Sequence, residues 1–141
     1  MKRVVVDASV AIKWLVPIRQ DETDVDKALA LFEQIAKLDV KMIQPTHFLA
    51  EVMGVVARLE PDYANDIFTA VSNIEFALID HPEIYRTAIK LSVELNHHLF
   101  DTLYHAVALN SQGVILITAD DAYYRKAKDI GQIMRLRDYY S

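Results

Sequence analysis

The chain has 141 residues with 15 Lys and Arg against 20 Asp and Glu, a formal net charge of −5, and no cysteine. That length is expected to form one domain over residues 1–141, large enough to bury a core without staples. The missing cysteine excludes disulfides, zinc–thiolate sites and thiol nucleophiles, and the acidic balance argues against gripping nucleic acid by bulk charge.

Arg3 to Val6 is a β-branched run that predicts a strand, and Ala8 to Leu15 predicts a short helix that ends near Pro17. Asp7 and Lys13 break the apolar stretch from Val4 to Val16. It therefore lacks the core of a signal peptide and the length of a membrane span, and a cytoplasmic protein is expected. Thr23 and Asp26 form an N-terminal capping pattern for a helix to about Leu38, with Ala28, Leu31, Phe32 and Ile35 on one face. Val40 to Ile43 predicts a second strand closed by Pro45. Thr46 to Leu59 then reads as a helix, and Pro61 as the start of another that runs to about Ser72.

Glu75 to Ile79 predicts the third strand, and Pro82 opens a helix in which Ile84, Ala88, Leu91 and Leu95 share a face. A helix beginning near Asp101 stops at Gly113, Val114 to Ile117 is the fourth strand, and a helix from Asp121 to Asp129 precedes a last strand, Ile133 to Leu136. Strands separated by helices imply an α/β fold with a mostly parallel sheet covered on both faces. In such sheets ligands bind beyond the carboxyl ends of the strands.

Four acids stand at the junctions of these elements. Asp7 follows Val4-Val5-Val6, Glu51 interrupts Phe48 to Met53, Asp101 opens a helix, and Asp120 follows Ile115-Leu116-Ile117-Thr118. Burying a carboxylate unpaired costs several kcal/mol, so acids in such places need a partner or a cation. Local readings exist for each: Asp7, Asp101 and Asp120 as helix N-caps, and Glu51 as the partner of His47 one turn earlier, at the edge of a Phe48, Val52, Val55, Leu59 stripe. Jointly the four suggest a site for a hard metal, since carboxylate oxygens suit Mg²⁺ or Mn²⁺.

Val4-Val5-Val6-Asp7-Ala8-Ser9, then Leu49-Ala50-Glu51-Val52, then Phe100 to Ala108, then Leu116-Ile117-Thr118-Ala119-Asp120, in that order and over nearly the whole chain, resemble the PIN-domain nucleases. The similarity is greatest to the toxins of VapBC toxin–antitoxin pairs. It implies a five-stranded sheet in the order 3-2-1-4-5 and an acidic pocket that binds Mg²⁺ or Mn²⁺ to cleave RNA. Asp7, Glu51, Asp101 and Asp120 fall on the family's acidic positions, and Ser9 and Thr118 on its supporting hydroxyls. Asp121, beside Asp120, could supply or share the ligand. A homodimer is implied as well, and so is a small antitoxin whose arginine or lysine enters the pocket.

Two rival readings stay open. A haloacid-dehalogenase-like phosphotransferase would use Asp7 as nucleophile with Asp120-Asp121 late in the chain, although Ser9 stands where it would want a second acid. A non-catalytic acidic binding module would hold only an ion or a basic peptide. Of the five histidines, adjacent His97 and His98 form no metal set and His47 and His81 read as surface residues. His105, four residues after Asp101, either contacts substrate or is a hydrogen-bonded core residue. Arg125, Lys126, Lys128, Arg135 and Arg137 make the C-terminal part locally basic, which reads as a solvated face or a phosphate contact.

Overall fold

The computed structural model describes residues 2–16 and 23–140. Its centre is β1 (Lys2–Val6), in which Val4, Val5 and Val6 are all fully buried, as expected of a parallel strand covered on both faces. β2 (Val40–Pro45) pairs with β1 on one side and β3 (Phe76–Ile79) lies beyond it. On the other side come β4 (Ile115–Thr118) and then β5 (Ile133–Arg135). The sheet therefore has five strands in the order 3-2-1-4-5, and every pairing is parallel.

The helices are α1 (Ala8–Leu15), α2 (Val25–Ala36), α3 (Phe48–Leu59), α4 (Ala64–Ser72), α5 (Pro82–Leu95), α6 (Leu99–Leu109) and α7 (Asp121–Ala127). α6 lies against β1, β2 and β4 and under α5, so Thr102 through Ala108 are buried all round the helix. Each large apolar side chain buried this way contributes about 1.5–3 kcal/mol, and Thr102 answers its own polarity by donating to the Ala88 carbonyl at 2.8 Å. Among the described residues no helix is long and apolar enough to cross a membrane.

Several elements begin or end away from the sequence expectation. α2 starts at Val25, and its N-cap is Asp24 rather than Thr23, left-handed (φ 64°) and without a side-chain cap bond of its own. Pro61 lies in a turn, and α4 begins only at Ala64. β2 runs on through Pro45, which pairs with Ile79 at the end of the strand. α6 starts two residues before Asp101, with His98 as its N-cap, and ends at Leu109; Gly113 (φ 76°) serves the loop into β4. The buried stripe of α3 is Phe48, Val52 and Val56, with Val56 taking the place expected of Val55. Pro17 lies outside the described residues.

Where β1 and β2 part, a side chain continues the ladder. The β1–β2 pairing ends at Val4 with Met42, and fully buried Gln44 then donates through Nε2 to the Val6 carbonyl (2.8 Å) and accepts from the Val6 N–H through Oε1 (2.7 Å). On the β4 side, the Asp7 N–H donates to the Ile117 carbonyl at 3.0 Å. The end of β1 is thus held from both flanks, and Asp7 with it.

Candidate metal centre

Asp7 caps α1. Its Oδ2 accepts from the Ser9 N–H at 3.1 Å and from the Ser9 hydroxyl, and that hydroxyl in turn accepts from the Ala119 N–H at 3.1 Å. One serine therefore ties the carboxylate at the end of β1 to the chain leaving β4. Asp120 caps α7 by accepting from the Tyr123 N–H at 3.0 Å, and its own N–H donates to the buried Thr118 hydroxyl at 3.0 Å. The capping reading and the clustering of Asp7 and Asp120 are compatible, because each carboxylate keeps an oxygen beyond the one used on the backbone.

Asp101 does not cap. It sits in the first turn of α6, where the helix dipole favours a negative charge, and its Oδ2 accepts from His97 Nε2 at 2.9 Å. Glu51, in the first turn of α3, accepts from the Tyr104 hydroxyl through Oε1 at 2.8 Å, and its Oε2 stands 4.0 Å from His47 Nε2. His47 bonds elsewhere, donating to the Phe100 carbonyl at 2.8 Å while its ring rests on Phe100 and Tyr104. It therefore pins the backbone just before Asp101 more closely than it pairs with Glu51.

The acids affect one another. Asp7 is 9% exposed, and burial pushes its carboxyl from 3.8 up to about 7; the Ser9 hydrogen bonds oppose that rise, and negative Asp101 and Glu51 add to it. Glu51 is also raised, first by burial and later by Asp101, against its bonds from Tyr104 and the influence of His47. Burial and then the neighbouring acids drive Tyr104 and Tyr123 above the usual tyrosine range, so both hydroxyls remain donors.

One ligand atom each from His97, Asp101 and Asp120 lie within 4.8 Å of one another, close enough to share an ion. Asp101 belongs to this trio and its charge also acts on Asp7 and Glu51, so the four acids share one neighbourhood, with Asp7 and Glu51 outside the trio itself. Asp121 turns away and receives Arg137 Nη2 at 2.8 Å. A buried carboxylate held up in proton affinity by burial and by two acidic neighbours fits a hard dication, which removes that repulsion and takes oxygen ligands.

His97 is the residue the sequence reading set aside. It belongs to no regular element: Asn96 ends α5 in the left-handed region (φ 49°) and His98 is an extended N-cap, so His97 is swung into the site between the two helices. Its i, i+4 spacing to Asp101 was the available signal. Lys126 Nζ lies 3.2 Å from His97 Nδ1 and donates there, which leaves the ring proton on Nε2 for Asp101. In this arrangement the imidazole orients a carboxylate, as partners of metal ligands do.

His105, with the same spacing on the other side of Asp101, is fully buried instead. It donates from Nε2 to the Gly131 carbonyl at 2.8 Å and accepts from the Tyr123 hydroxyl at Nδ1, also 2.8 Å, while burial holds its pKa low and the ring neutral. It is a core histidine that braces Tyr123 beneath the site.

No curated protein matches the chain. Among solved structures, PAE2754 from Pyrobaculum aerophilum is similar with 18% identity and a TM-score of 0.67, covering 96% of this chain and 90% of that one. VapBC-1 from nontypeable Haemophilus influenzae has 14% identity and a TM-score of 0.66, over 96% and 99% of the two chains. FitAcB from Neisseria gonorrhoeae has 16% identity and a TM-score of 0.65, with the same coverage. At these identities the likeness shows a shared fold. The PIN domain family itself matches residues 4–129, from within β1 to just past α7, and takes in all four acids: the chain belongs to the PIN-domain family.

Proposed function

We propose that this protein is a divalent-metal-dependent endoribonuclease that uses Mg²⁺ or Mn²⁺, and that it acts as the toxin of a toxin–antitoxin pair. The observation that carries the reading is the meeting of Asp7, Glu51, Asp101 and Asp120 at the carboxyl ends of β1 and β4 on a PIN fold. Similarity to the VapBC-1 and FitAcB structures supports the toxin assignment. A small antitoxin that places an arginine or lysine among the acids, a homodimeric assembly and a cytoplasmic location belong to the same reading.

In this reading Asp7, Asp101 and Asp120 hold the ion and Glu51 completes the oxygen set. A bound Mg²⁺ or Mn²⁺ would lower the pKa of a water for in-line attack on phosphorus and neutralise charge on the leaving oxygen. The chain's own part is placement. Ser9 fixes Asp7 against the β4 exit, Thr118 shapes the turn that presents Asp120, His97 orients Asp101, and Tyr104 orients Glu51. No side-chain nucleophile is required, which distinguishes this reading from a phosphotransferase acting through Asp7.

Incubation with structured RNA and Mg²⁺ or Mn²⁺ tests the reading, with Asp7→Asn alongside the wild type. Cleavage that needs metal and falls by orders of magnitude in the variant is expected. Equal cleavage by both proteins in excess EDTA would overturn it, and a phosphoenzyme trapped on Asp7 would favour the phosphotransferase.

A further inference from the structure

The basic residues of the C-terminal part do not act together. Arg137 is paired with Asp121 at 2.8 Å, and Arg135 with Asp138 at 3.0 Å while it also lies over the Tyr124 ring. Lys126 differs in that its two recorded partners are neutral: the Asn96 carbonyl at 2.9 Å and His97 Nδ1 at 3.2 Å. An ammonium has three N–H donors, so one is left, and no carboxylate among those partners cancels the charge.

Lys126 lines an open pocket of 520 Å³ together with Ser92, Asn96, His97, His98 and Leu99. His97 forms the wall between this pocket and the acids, with one ring nitrogen facing Lys126 and the other Asp101. Lys126 Nζ therefore stands one imidazole and two hydrogen bonds from the Asp101 carboxylate. A polyanion that brings one phosphate to four carboxylates meets repulsion on the phosphates beside it, and a cation at this spot offsets it.

We propose that the pocket lined by Lys126, His97 and His98 is a phosphate subsite for the RNA strand beside the scissile bond, with Lys126 as its anion contact. This rests on the nuclease reading above. Lysine acts on phosphate as a point charge, so the subsite positions the strand and reads no base. Its ammonium is already held by two acceptors, which reduces the ordering cost of binding.

The test is fluorescence anisotropy with a short labelled oligo(U) RNA in Ca²⁺ over a KCl series, using wild type, Lys126→Ala and Lys126→Arg, with Mn²⁺ melting shifts measured on all three. Lys126→Ala should bind about tenfold more weakly at low salt, and the slope of log K against log salt should shrink by about 0.7, the increment for one single-strand phosphate contact. Lys126→Arg should keep the slope, and all three proteins should show the same Mn²⁺ shift. An unchanged slope in Lys126→Ala overturns the subsite. Loss of the Mn²⁺ shift in that variant also overturns it, because Lys126 would then act only through His97 on the metal centre. A wild type that takes up Mn²⁺ yet neither binds nor cleaves RNA overturns the nuclease reading itself.

Discussion

The Tyr104 hydroxyl donates to Glu51 Oε1 over 2.8 Å, joining α6 to α3 across the acidic site. Tyr104 is fully buried and its ionisation is suppressed, so it serves Glu51 only as a donor. That bond lowers the Glu51 pKa against the burial that raises it. Tyr104→Phe should therefore make Glu51 more basic and cost about 1 kcal/mol of stability. The pH–rate profile of RNA cleavage checks this: its acidic limb should move to higher pH in the variant, and an unmoved limb would mean that Glu51 does not titrate in the active form.

Asp7 gives the apo protein a definite pH dependence. Its folded carboxyl titrates at about 7, above the ordinary 3.8, so between those values the folded state holds a proton that the unfolded state has released. Stability then falls as pH rises through that window and levels off above it. Asp7→Asn keeps an oxygen for the Ser9 bonds and removes the charge, so it should match wild type near about pH 3 and melt higher near about pH 8, by a few kcal/mol at roughly 1.4 per pKa unit. Melting curves in EDTA across pH decide it; parallel curves for the two proteins would show that Asp7 is not buried as a charge.

Gln44 supplies both hydrogen bonds to the backbone of Val6, immediately before Asp7, from a fully buried position. Gln44→Leu fills similar space but leaves a buried N–H and a buried carbonyl without partners, at about 1–3 kcal/mol each. The urea midpoint should drop with little change in slope, and Mn²⁺ should stabilise the variant less than wild type because Asp7 is held less firmly. A variant as stable as wild type would mean that water reaches Val6.

The parallel sheet was legible because the strands are short apolar runs separated by amphipathic helices, its order followed only from the resemblance to the PIN-domain nucleases, and the four acids stood out because each lies at a strand end or a helix start. Capping patterns were less reliable. Thr23 and Asp26 have the spacing of a box, yet Asp24 takes a left-handed turn between them. The histidines sorted opposite to their apparent regularity: His105 continues the helix and is buried in the core, whereas His97 lies off it and reaches the acids. Helical spacing gives the face of a residue only where the helix exists, and the gap between α5 and α6 is set by the left-handed Asn96. Gln44 left no trace in the pattern, since its role comes from the divergence of two strands distant in sequence.

Asp101 separates a metal ligand from a structural acid. It is not the N-cap of α6, which is His98, but it lies in the first turn, where the dipole stabilises a carboxylate by about 0.3–1 kcal/mol at an exposed site. Against this, its charge raises the pKa of both Asp7 and Glu51, and with them its cost to the apo protein. Asp101→Asn retains an acceptor for the His97 N–H and removes the repulsion. Near neutral pH without metal it should melt higher than wild type, because relief at two neighbouring carboxylates exceeds one dipole contact. Millimolar Mn²⁺ should then raise the wild-type midpoint and scarcely move that of the variant, since a ligand stabilises only the state that binds it. Paired melts with and without Mn²⁺ distinguish the two roles: a less stable apo variant whose metal shift equals that of wild type would make Asp101 a helix-dipole residue held by His97, and would leave the ion to Asp7, Glu51 and Asp120.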